Sequence, residues 1–250
     1  MTVTTSAPTA GSTAGPTGTG AWDEPTGATP RGTVVVLTGR GETPRAYERL
    51  GRRLSADAYK VRAVVVDLDD LDATRAVVQD LLDDQALPSP RVLLGSDAGA
   101  TLAAAWADDL AVDGAVVAGR ALPGSTAVLG WEGELEARSA CPVHRSRLVD
   151  EEVLRPGALG RDLPASWEGP RLSAPVTPTL VIHGTADPVT PVEDAVAPYD
   201  GSPQVVVRLV EGGRHDVLND VSHRSVAATV VLFLESLRLG SDLPAVVRSV

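Results

Sequence analysis

A sharp turn from a strand into a helix is predicted around Asp97. Residues 91–100 read Arg-Val-Leu-Leu-Gly-Ser-Asp-Ala-Gly-Ala, which is an apolar strand followed by small residues. Small neighbours on both sides of one polar residue are what a strained turn requires when its apex holds a nucleophile, because larger side chains would collide there. The apex is Asp97. Ser96 lies one position earlier, where its side chain leaves the turn in another direction, so we place the chemistry on Asp97 and keep Ser96 as an alternative.

Two later segments supply an acid and a base. Asp187 follows the apolar run 179–183, and His215 lies in the glycine-rich segment 211–219, before the last helical pattern. The chain order of nucleophile, acid and histidine differs between the folds that use catalytic triads, and this order is the one found in α/β-hydrolases. The three segments together are therefore more informative than any one of them.

The pattern around these residues predicts an α/β fold. From Thr33 onward, short β-branched runs alternate with longer helical patterns, which is typical of parallel strands joined by helical crossovers. We expect a mostly parallel sheet flanked by helices. The predicted strands are 33–37, 61–66, 91–94, 114–117, 179–183 and 204–210. The predicted helices are 44–56, 71–85, 98–109, 191–197 and 222–239.

The alternation stops between residues 122 and 175, a segment with six prolines and only short helical stretches at 132–140 and 147–154. We predict a small cap at 121–175, inserted after the fourth core strand of a domain that spans 31–240. Residues 1–30 are mostly Thr, Ala, Gly, Pro and Ser, which offer little to bury, so we predict a disordered tail there. Residues 241–250 are expected to form a C-terminal tail.

These features resemble the α/β-hydrolase superfamily, and within it the bacterial monoacylglycerol lipase and lysophospholipase-like group, also called serine aminopeptidase S33-type hydrolases. The matching segments are 38–42 with Tyr47, the turn at Asp97, 183–187 and 212–219. The resemblance implies an oxyanion hole formed by the backbone N–H groups of Arg40 and Ala98. The chain departs from the family pattern in several places. Aspartate replaces the nucleophilic serine at position 97, Thr38 replaces a histidine, the usual Gly-His-Gly loop is missing, and residues 1–30 are not expected to supply the leading strands.

An aspartate at this apex favours different chemistry from a serine. Its carboxylate is already ionised at pH 7, but attack on an ester carbonyl would give an anhydride that mostly reverses. Attack on a saturated carbon bearing a halide or an epoxide oxygen gives an alkyl ester instead. Water activated by His215, with Asp187 orienting the imidazole, can hydrolyse that ester. In this respect Asp97 resembles the aspartate of epoxide hydrolases and of haloalkane or haloacetate dehalogenases.

The sequence thus predicts a hydrolase for a small or medium apolar molecule, acting through a covalent alkyl ester on Asp97. A carboxylic-ester or lipid hydrolase and a non-catalytic binding protein remain as alternatives. Trp131 and Trp167 in the cap could line the substrate pocket with their indole N–H groups, as dehalogenases bind a halide, although core packing of the cap explains them more simply. Tyrosines that could protonate an opening epoxide are absent from the cap, since the three in the chain are Tyr47, Tyr59 and Tyr199.

Other polar residues have simpler interpretations. Cys141 and His144 are close in sequence but lack further metal ligands, so an ordinary turn in the cap is favoured over a metal site. His183 is expected to be a structural hydrogen-bonding residue and His223 a surface or capping residue. The acidic run at 67–72 lacks the ligand alternation of a calcium loop and is expected to cap the next helix.

Composition excludes several functions. Asp and Glu number 33 against 22 Lys and Arg, which gives a formal net charge of -11 and opposes binding to nucleic acid. The single cysteine permits neither an intrachain disulfide nor a cysteine metal cluster, and it suits a reducing, cytoplasmic setting. No integral membrane segment or secretion leader is expected, and neither a cofactor nor a metal is predicted.

Overall fold

A computed structural model describes residues 19–125, 129–164, 167 and 174–248. Seven strands form one sheet in the order β1-β3-β2-β4-β5-β6-β7, in which only β1 runs antiparallel to its neighbour. The strands are β1 Thr19–Trp22, β2 Gly32–Leu37, β3 Tyr59–Val64, β4 Arg91–Asp97, β5 Gly114–Arg120, β6 Thr179–Gly184 and β7 Val205–Val210. The helices are α1 Glu48–Ala56, α2 Leu71–Asp83, α3 Ala98–Trp106, α4 Trp131–Arg138, α5 Pro142–Leu148, α6 Val192–Val196 and α7 His223–Leu239.

Helices cover both faces of the sheet, and this confirms the predicted fold class. Alternate residues of β2 point to opposite faces, as the two-residue period of a strand requires. Val34 and Val36 pack in one hydrophobic cluster with residues of α1 and α7, whereas Val35 and Leu37 pack in another with residues of α2 and α3. Every residue of β2 is buried. This two-sided burial explains the continuous apolar runs that identify the central strands in the sequence.

The N-terminal segment differs from the prediction. Residues 19–30 are not a disordered tail, because β1 pairs with β3 and forms one edge of the sheet. Trp22 is 9% exposed and packs so closely on α1 that a Cβ added to Gly51 would lie 2.4 Å from its ring. One buried indole and four backbone pairs thus order a segment whose composition offers little else to bury. The rest of the predicted tail, residues 1–18, lies outside the described residues.

The segment between β5 and β6 contains the predicted cap, and parts of it lie outside the described residues. Helix α4 falls close to the predicted 132–140 stretch, but the second cap helix is Pro142–Leu148 rather than 147–154. Pro142 occupies the first turn of α5, where a missing N–H costs little, so the proline begins the helix instead of excluding it. No helix within the described ranges combines the length and apolar character that crossing a membrane requires.

Trp22 provides a test of the N-terminal strand. We expect Trp22→Ala to lower the free energy of unfolding by about 3 kcal/mol, because the change removes a large buried ring. Trp22→Phe should lose less. Urea unfolding followed by far-UV circular dichroism measures both changes. Leu239→Ala, at a side chain that is 65% exposed, is the matched control and should change stability by less than about 0.5 kcal/mol. A loss for Trp22→Ala no larger than that of the control would contradict a packed β1.

Candidate active site

Asp97 lies at the junction of β4 and α3, in a backbone conformation that few non-glycine residues adopt. Its φ is 53° and its ψ is -119°. The turn brings backbone segments so close together that a Cβ added to Gly95 would lie 2.0 Å from the carbonyl oxygen of Gly99. A Cβ added to Gly99 would lie 2.2 Å from the carbonyl oxygen of Leu37 in β2. The small residues seen in the sequence are therefore required by close backbone packing on both sides of Asp97.

The structure brings Asp97, His215 and Asp187 together. His215 Nε2 lies 3.0 Å from Asp97 Oδ1, and His215 Nδ1 lies 2.8 Å from Asp187 Oδ2. Asp97 ends β4, while Asp187 follows β6 and His215 follows β7, so all three lie at the carboxyl edge of a parallel sheet. This is the edge at which open α/β sheets bind their ligands.

Asp187 is held by its own loop as well as by His215. Its Oδ1 accepts hydrogen bonds from the N–H groups of Val189 at 2.8 Å and Thr190 at 3.2 Å. His183 Nε2 lies 2.9 Å from the carbonyl oxygen of Thr190 and 3.3 Å from Asp187 Oδ2. His183, near the end of β6, thus hydrogen-bonds to the loop that orients Asp187, as its sequence context predicts.

The Arg40 side chain is the main feature that the sequence analysis missed. Its backbone N–H donates to Asp97 Oδ2 at 2.7 Å, as an oxyanion-hole donor would. Its guanidinium also binds the same carboxylate, with Nη2 2.7 Å from Oδ1 and Nε 2.9 Å from Oδ2. Both side chains are at most 1% exposed. The other expected oxyanion donor, the N–H of Ala98, makes none of the hydrogen bonds described for this carboxylate.

The same guanidinium attaches the cap to Asp97. Arg40 Nη1 faces three carbonyl oxygens of the segment between β5 and β6, at 3.0 Å from Ser125, 3.3 Å from Leu159 and 2.8 Å from Arg161. One side chain therefore bridges the cap and the apex of the β4–α3 turn. In the sequence, this contact is indicated only by an arginine in the segment assigned to the oxyanion hole. The family resemblance implies a role for the backbone N–H of Arg40 and none for its side chain.

Burial and charge determine the protonation of this cluster. Burial alone would raise the pKa of Asp97, but the charge of Arg40 and the hydrogen bonds from His215 and Arg40 hold it well below its ordinary value. Burial opposes protonation of His215, yet the carboxylates of Asp187 and Asp97 outweigh it and raise the pKa of His215 to about 9. The resting site at neutral pH thus contains two cations and two carboxylates, all buried.

Further buried hydrogen bonds hold the peptide groups on either side of the Arg40 N–H, and so keep this N–H directed at Asp97. The preceding N–H, that of Gly39, donates to Glu42 Oε2 at 3.0 Å. The Arg40 carbonyl accepts from Arg138 Nη2 at 2.9 Å, and Arg138 Nη1 binds Glu42 Oε1 at 2.9 Å. Because both neighbouring peptide groups are held, the orientation of the Arg40 N–H depends on Arg138, a residue of cap helix α4.

The two tryptophans suggested for the substrate pocket lie in different hydrophobic clusters. Trp131 is half-buried against the cluster that contains α7, whereas Trp167 is fully buried in the cluster that contains Ala98 and α3. The indole N–H of Trp167 is buried without a hydrogen-bond partner among the described residues. The alternative nucleophile Ser96 is 1% exposed, and within the described residues no hydrogen bond joins it to His215.

His144 has a different environment from the expected turn. It is buried in α5, and its Nε2 lies 2.7 Å from Asp216 Oδ2. Asn219 donates to the same carboxylate at 3.1 Å and 3.2 Å, so this cluster joins the cap to the loop that carries His215. Cys141 is buried and free. In the acidic run, Asp70 caps α2 by accepting from the N–H of Ala73, as the sequence predicts.

Comparison with known proteins finds similar solved structures at low sequence identity. No model of a known protein family matches the chain, and no curated protein matches it. The solved structures that resemble it include a monoacylglycerol lipase from Paleococcus ferrophilus. That structure is 18% identical, with a TM-score of 0.69, over 88% of this chain and 98% of the lipase.

Two further solved structures give the same result. A soluble variant of the monoglyceride lipase of Saccharomyces cerevisiae, solved with a substrate analogue, is 15% identical with a TM-score of 0.68, over 95% of this chain and 98% of that one. An esterase from a Rhodococcus species is 19% identical with a TM-score of 0.65, over 88% and 95% of the two chains. These two lipases and the esterase share its architecture over nearly their whole length. The chain has the α/β-hydrolase fold, as its sequence predicts.

Proposed function

We propose that this protein is a hydrolase that attacks a saturated carbon atom with Asp97 and then hydrolyses the resulting alkyl ester with His215 and Asp187. The observation that carries this proposal is the continuous hydrogen-bonded series from Asp97 through His215 to Asp187, at the carboxyl edge of the sheet. The fold shared with lipases and esterases supports hydrolytic chemistry at this edge. The aspartate in place of a hydroxyl nucleophile favours a carbon that carries a leaving group.

The first step uses the ionised carboxylate directly. An oxygen of Asp97 forms a bond to the substrate carbon, and the leaving group departs with the electrons of the bond that breaks. The Arg40 N–H, 2.7 Å from Oδ2, keeps the carboxylate oriented. No base is needed, because the low pKa of Asp97 leaves it ionised at neutral pH.

The second step follows from the charge that the first step removes. Once Asp97 is an ester, His215 has lost one of the two carboxylates that raise its pKa, so it can release its proton. Neutral His215 then takes a proton from water, and the water oxygen attacks the ester carbonyl of Asp97. The Arg40 N–H stabilises the oxyanion. The ester bond breaks and the product oxygen takes the proton from His215. The new carboxylic acid of Asp97 then passes its proton to His215, which restores the carboxylate and the protonated imidazole.

Hydrolysis of carboxylic esters is the second candidate, favoured by the lipases and esterases among the similar structures. Attack by Asp97 on an ester carbonyl would form an anhydride only if the alkoxide left the tetrahedral adduct, and the better leaving group of that adduct is the Asp97 carboxylate. An esterase would therefore use Ser96, or water activated by His215, rather than Asp97.

Trapping the covalent ester tests the first candidate. We expect His215→Gln, incubated with short bromoalkanes, terminal epoxides and 2-bromocarboxylates, to accumulate one alkyl adduct on the peptide that contains Asp97, because the activated water is lost. Peptide mass spectrometry measures the adduct. The matched control is His215→Gln combined with Asp97→Asn, which should remain unmodified. An adduct on another residue, or none with any reagent, would favour an esterase or a non-catalytic binding protein.

The source of the product oxygen gives a second test. In a single turnover in water enriched in oxygen-18, with enzyme in excess over substrate, we expect the label to enter the Asp97 carboxylate and the product to carry unlabelled oxygen. Direct attack of water on the substrate would label the product instead. Mass spectrometry of product and of the Asp97 peptide distinguishes the two outcomes.

The esterase candidate has its own test at the same position. Because Oγ of a serine at position 97 would lie near His215, we expect Asp97→Ser to raise p-nitrophenyl acetate hydrolysis at least about 10-fold over wild type. Absorbance of p-nitrophenolate measures the rate. Fast cleavage by wild type that Asp97→Ala leaves unchanged would show that Asp97 is not the nucleophile, and Ser96→Ala would then be the decisive variant.

Protonation of His215 predicts how stability depends on pH. Its pKa rises from 6.5 to about 9 on folding, so its contribution is complete below pH 6.5 and is lost as the pH rises through 9. We expect the free energy of unfolding to fall by up to about 3 kcal/mol over this interval. His215→Gln should remove most of the decline. Urea unfolding at a series of pH values measures it, and an identical decline in the variant would assign it to other groups.

A further inference from the structure

The backbone of His215 is held between the cap and the sheet. Its N–H donates to the carbonyl oxygen of Ala137 at 3.2 Å, and the next N–H, that of Asp216, donates to the carbonyl oxygen of Arg138 at 2.8 Å. Both acceptors lie at the carboxyl end of cap helix α4. On the other side, the His215 carbonyl oxygen packs so closely on β5 that a Cβ added to Gly119 would lie 2.0 Å from it. The position of the imidazole therefore depends on how firmly its loop is attached to the cap.

Asp220 makes a further attachment between the same two segments. Its Oδ2 accepts from the N–H of Arg214, the residue before His215, at 2.8 Å. Its Oδ1 accepts from the N–H of Ala140 at 2.7 Å and from the hydroxyl of Ser139 at 3.0 Å. The residue is only 2% exposed. One buried carboxylate, which no step of the reaction above uses, thus joins the His215 loop to the segment between α4 and α5.

We propose that Asp220 is a positioning residue for His215, and that it acts by holding the His215 loop against residues 139–140 of the cap. This role rests on the function proposed above, because it assigns Asp220 to the step in which His215 activates water. Position decides the rate of such a step, and a displacement of about 1 Å can cost roughly 100-fold. Asp220 acts through the loop and does not touch the reacting atoms.

A carboxylate suits this role because both of its oxygens accept hydrogen bonds. Oδ2 serves Arg214 in the His215 loop, and Oδ1 serves Ala140 in the cap. An amide of the same shape has a single oxygen, so in Asp220→Asn the NH2 group must face one of these two N–H donors. The N–H that loses its acceptor is then left without a partner, which is unfavourable for a buried group. The variant thus breaks one attachment with little change in side-chain volume.

The first experiment measures the pKa of His215 in the protein without substrate. Burial opposes protonation, and the carboxylates of Asp187 and Asp97 outweigh it to give a pKa of about 9. We expect Asp220→Asn to lower this pKa by about 1 or more, because a displaced imidazole loses contact with these carboxylates while it remains buried. NMR titration measures the pKa. The signal of His215 among the four histidines is assigned by its absence from His215→Gln.

Trp22→Ala is the matched control for a loss of stability. Trp22 lies in β1, at the opposite edge of the sheet from β7, so its replacement weakens the fold away from His215. The pKa of His215 should stay at about 9 in this control. An unchanged pKa in Asp220→Asn, or an equal fall in Trp22→Ala, would overturn the proposal. If Asp220→Asn does not fold, Ser139→Ala removes one of its donors and should cause a smaller fall, and no fall there would also overturn it.

The second experiment measures the two steps of the reaction separately. Attack by Asp97 needs no base, whereas hydrolysis of the ester needs His215. We expect Asp220→Asn to form the Asp97 adduct within about 3-fold of the wild-type rate but to hydrolyse it roughly 10-fold or more slowly, so that the adduct accumulates. Rapid quenching and peptide mass spectrometry measure both rates, with whichever bromoalkane, epoxide or 2-bromocarboxylate modifies His215→Gln. Equal slowing of the two steps would overturn the proposal.

The two experiments separate this role from the proposed function. If the pKa of His215 falls in Asp220→Asn but no reagent modifies Asp97, Asp220 positions His215 and the alkyl-ester chemistry is wrong. If wild type and Asp220→Asn hydrolyse the Asp97 adduct equally fast, the alkyl-ester chemistry is supported and the role of Asp220 is wrong. A lower pKa together with slow hydrolysis of the adduct supports both.

Discussion

The buried ion pair between Arg40 and Asp97 constrains the rest of the site. A guanidinium and a carboxylate that are each almost completely buried are stable only while they remain paired, since removing one partner leaves an uncompensated charge at a cost of about 3–5 kcal/mol. The pair lowers the pKa of Asp97, and Asp97 in turn helps to raise that of His215. Any chemistry that changes the charge of Asp97 is thereby transmitted to His215 on one side and to Arg40 on the other.

The cap is part of the same electrostatic system rather than a separate cover. Arg40 Nη1 binds cap carbonyls, and Arg138 of α4 holds the loop that presents the Arg40 N–H. Glu134 connects these contacts, because it pairs with Arg138 and accepts hydrogen bonds from the N–H groups of Gly157 and Leu159. Movement of the cap would disturb both the guanidinium and the Arg40 N–H that donates to Asp97. The position of the cap and the pairing of Arg40 with Asp97 are therefore coupled.

The sheet explains why residues far apart in the chain meet at one point. The parallel strands all end at one edge of the sheet. Asp97 is the last residue of β4, Asp187 follows β6 and His215 follows β7, so the three side chains meet at that edge. Close packing of Gly95 and Gly99 fixes the turn at Asp97. The fold is shared with two lipases and an esterase of low sequence identity. The pair formed by Asp97 and Arg40 is a matter of two side chains placed on that fold.

The sequence alone determined the fold class, the central strands and the meeting of Asp97, Asp187 and His215. These features follow from local hydrophobic periodicity, from small residues at a turn and from the order of segments in a parallel sheet, all of which can be seen in the sequence. The tertiary structure decided the rest. Trp22 orders a segment whose composition predicts disorder, because its ring packs closely against Gly51 of α1. The guanidinium of Arg40 binds Asp97 from 57 residues away. Which buried cation neutralises which carboxylate depends on side chains that come together only when the sheet and cap are assembled, so no local pattern in the sequence encodes it.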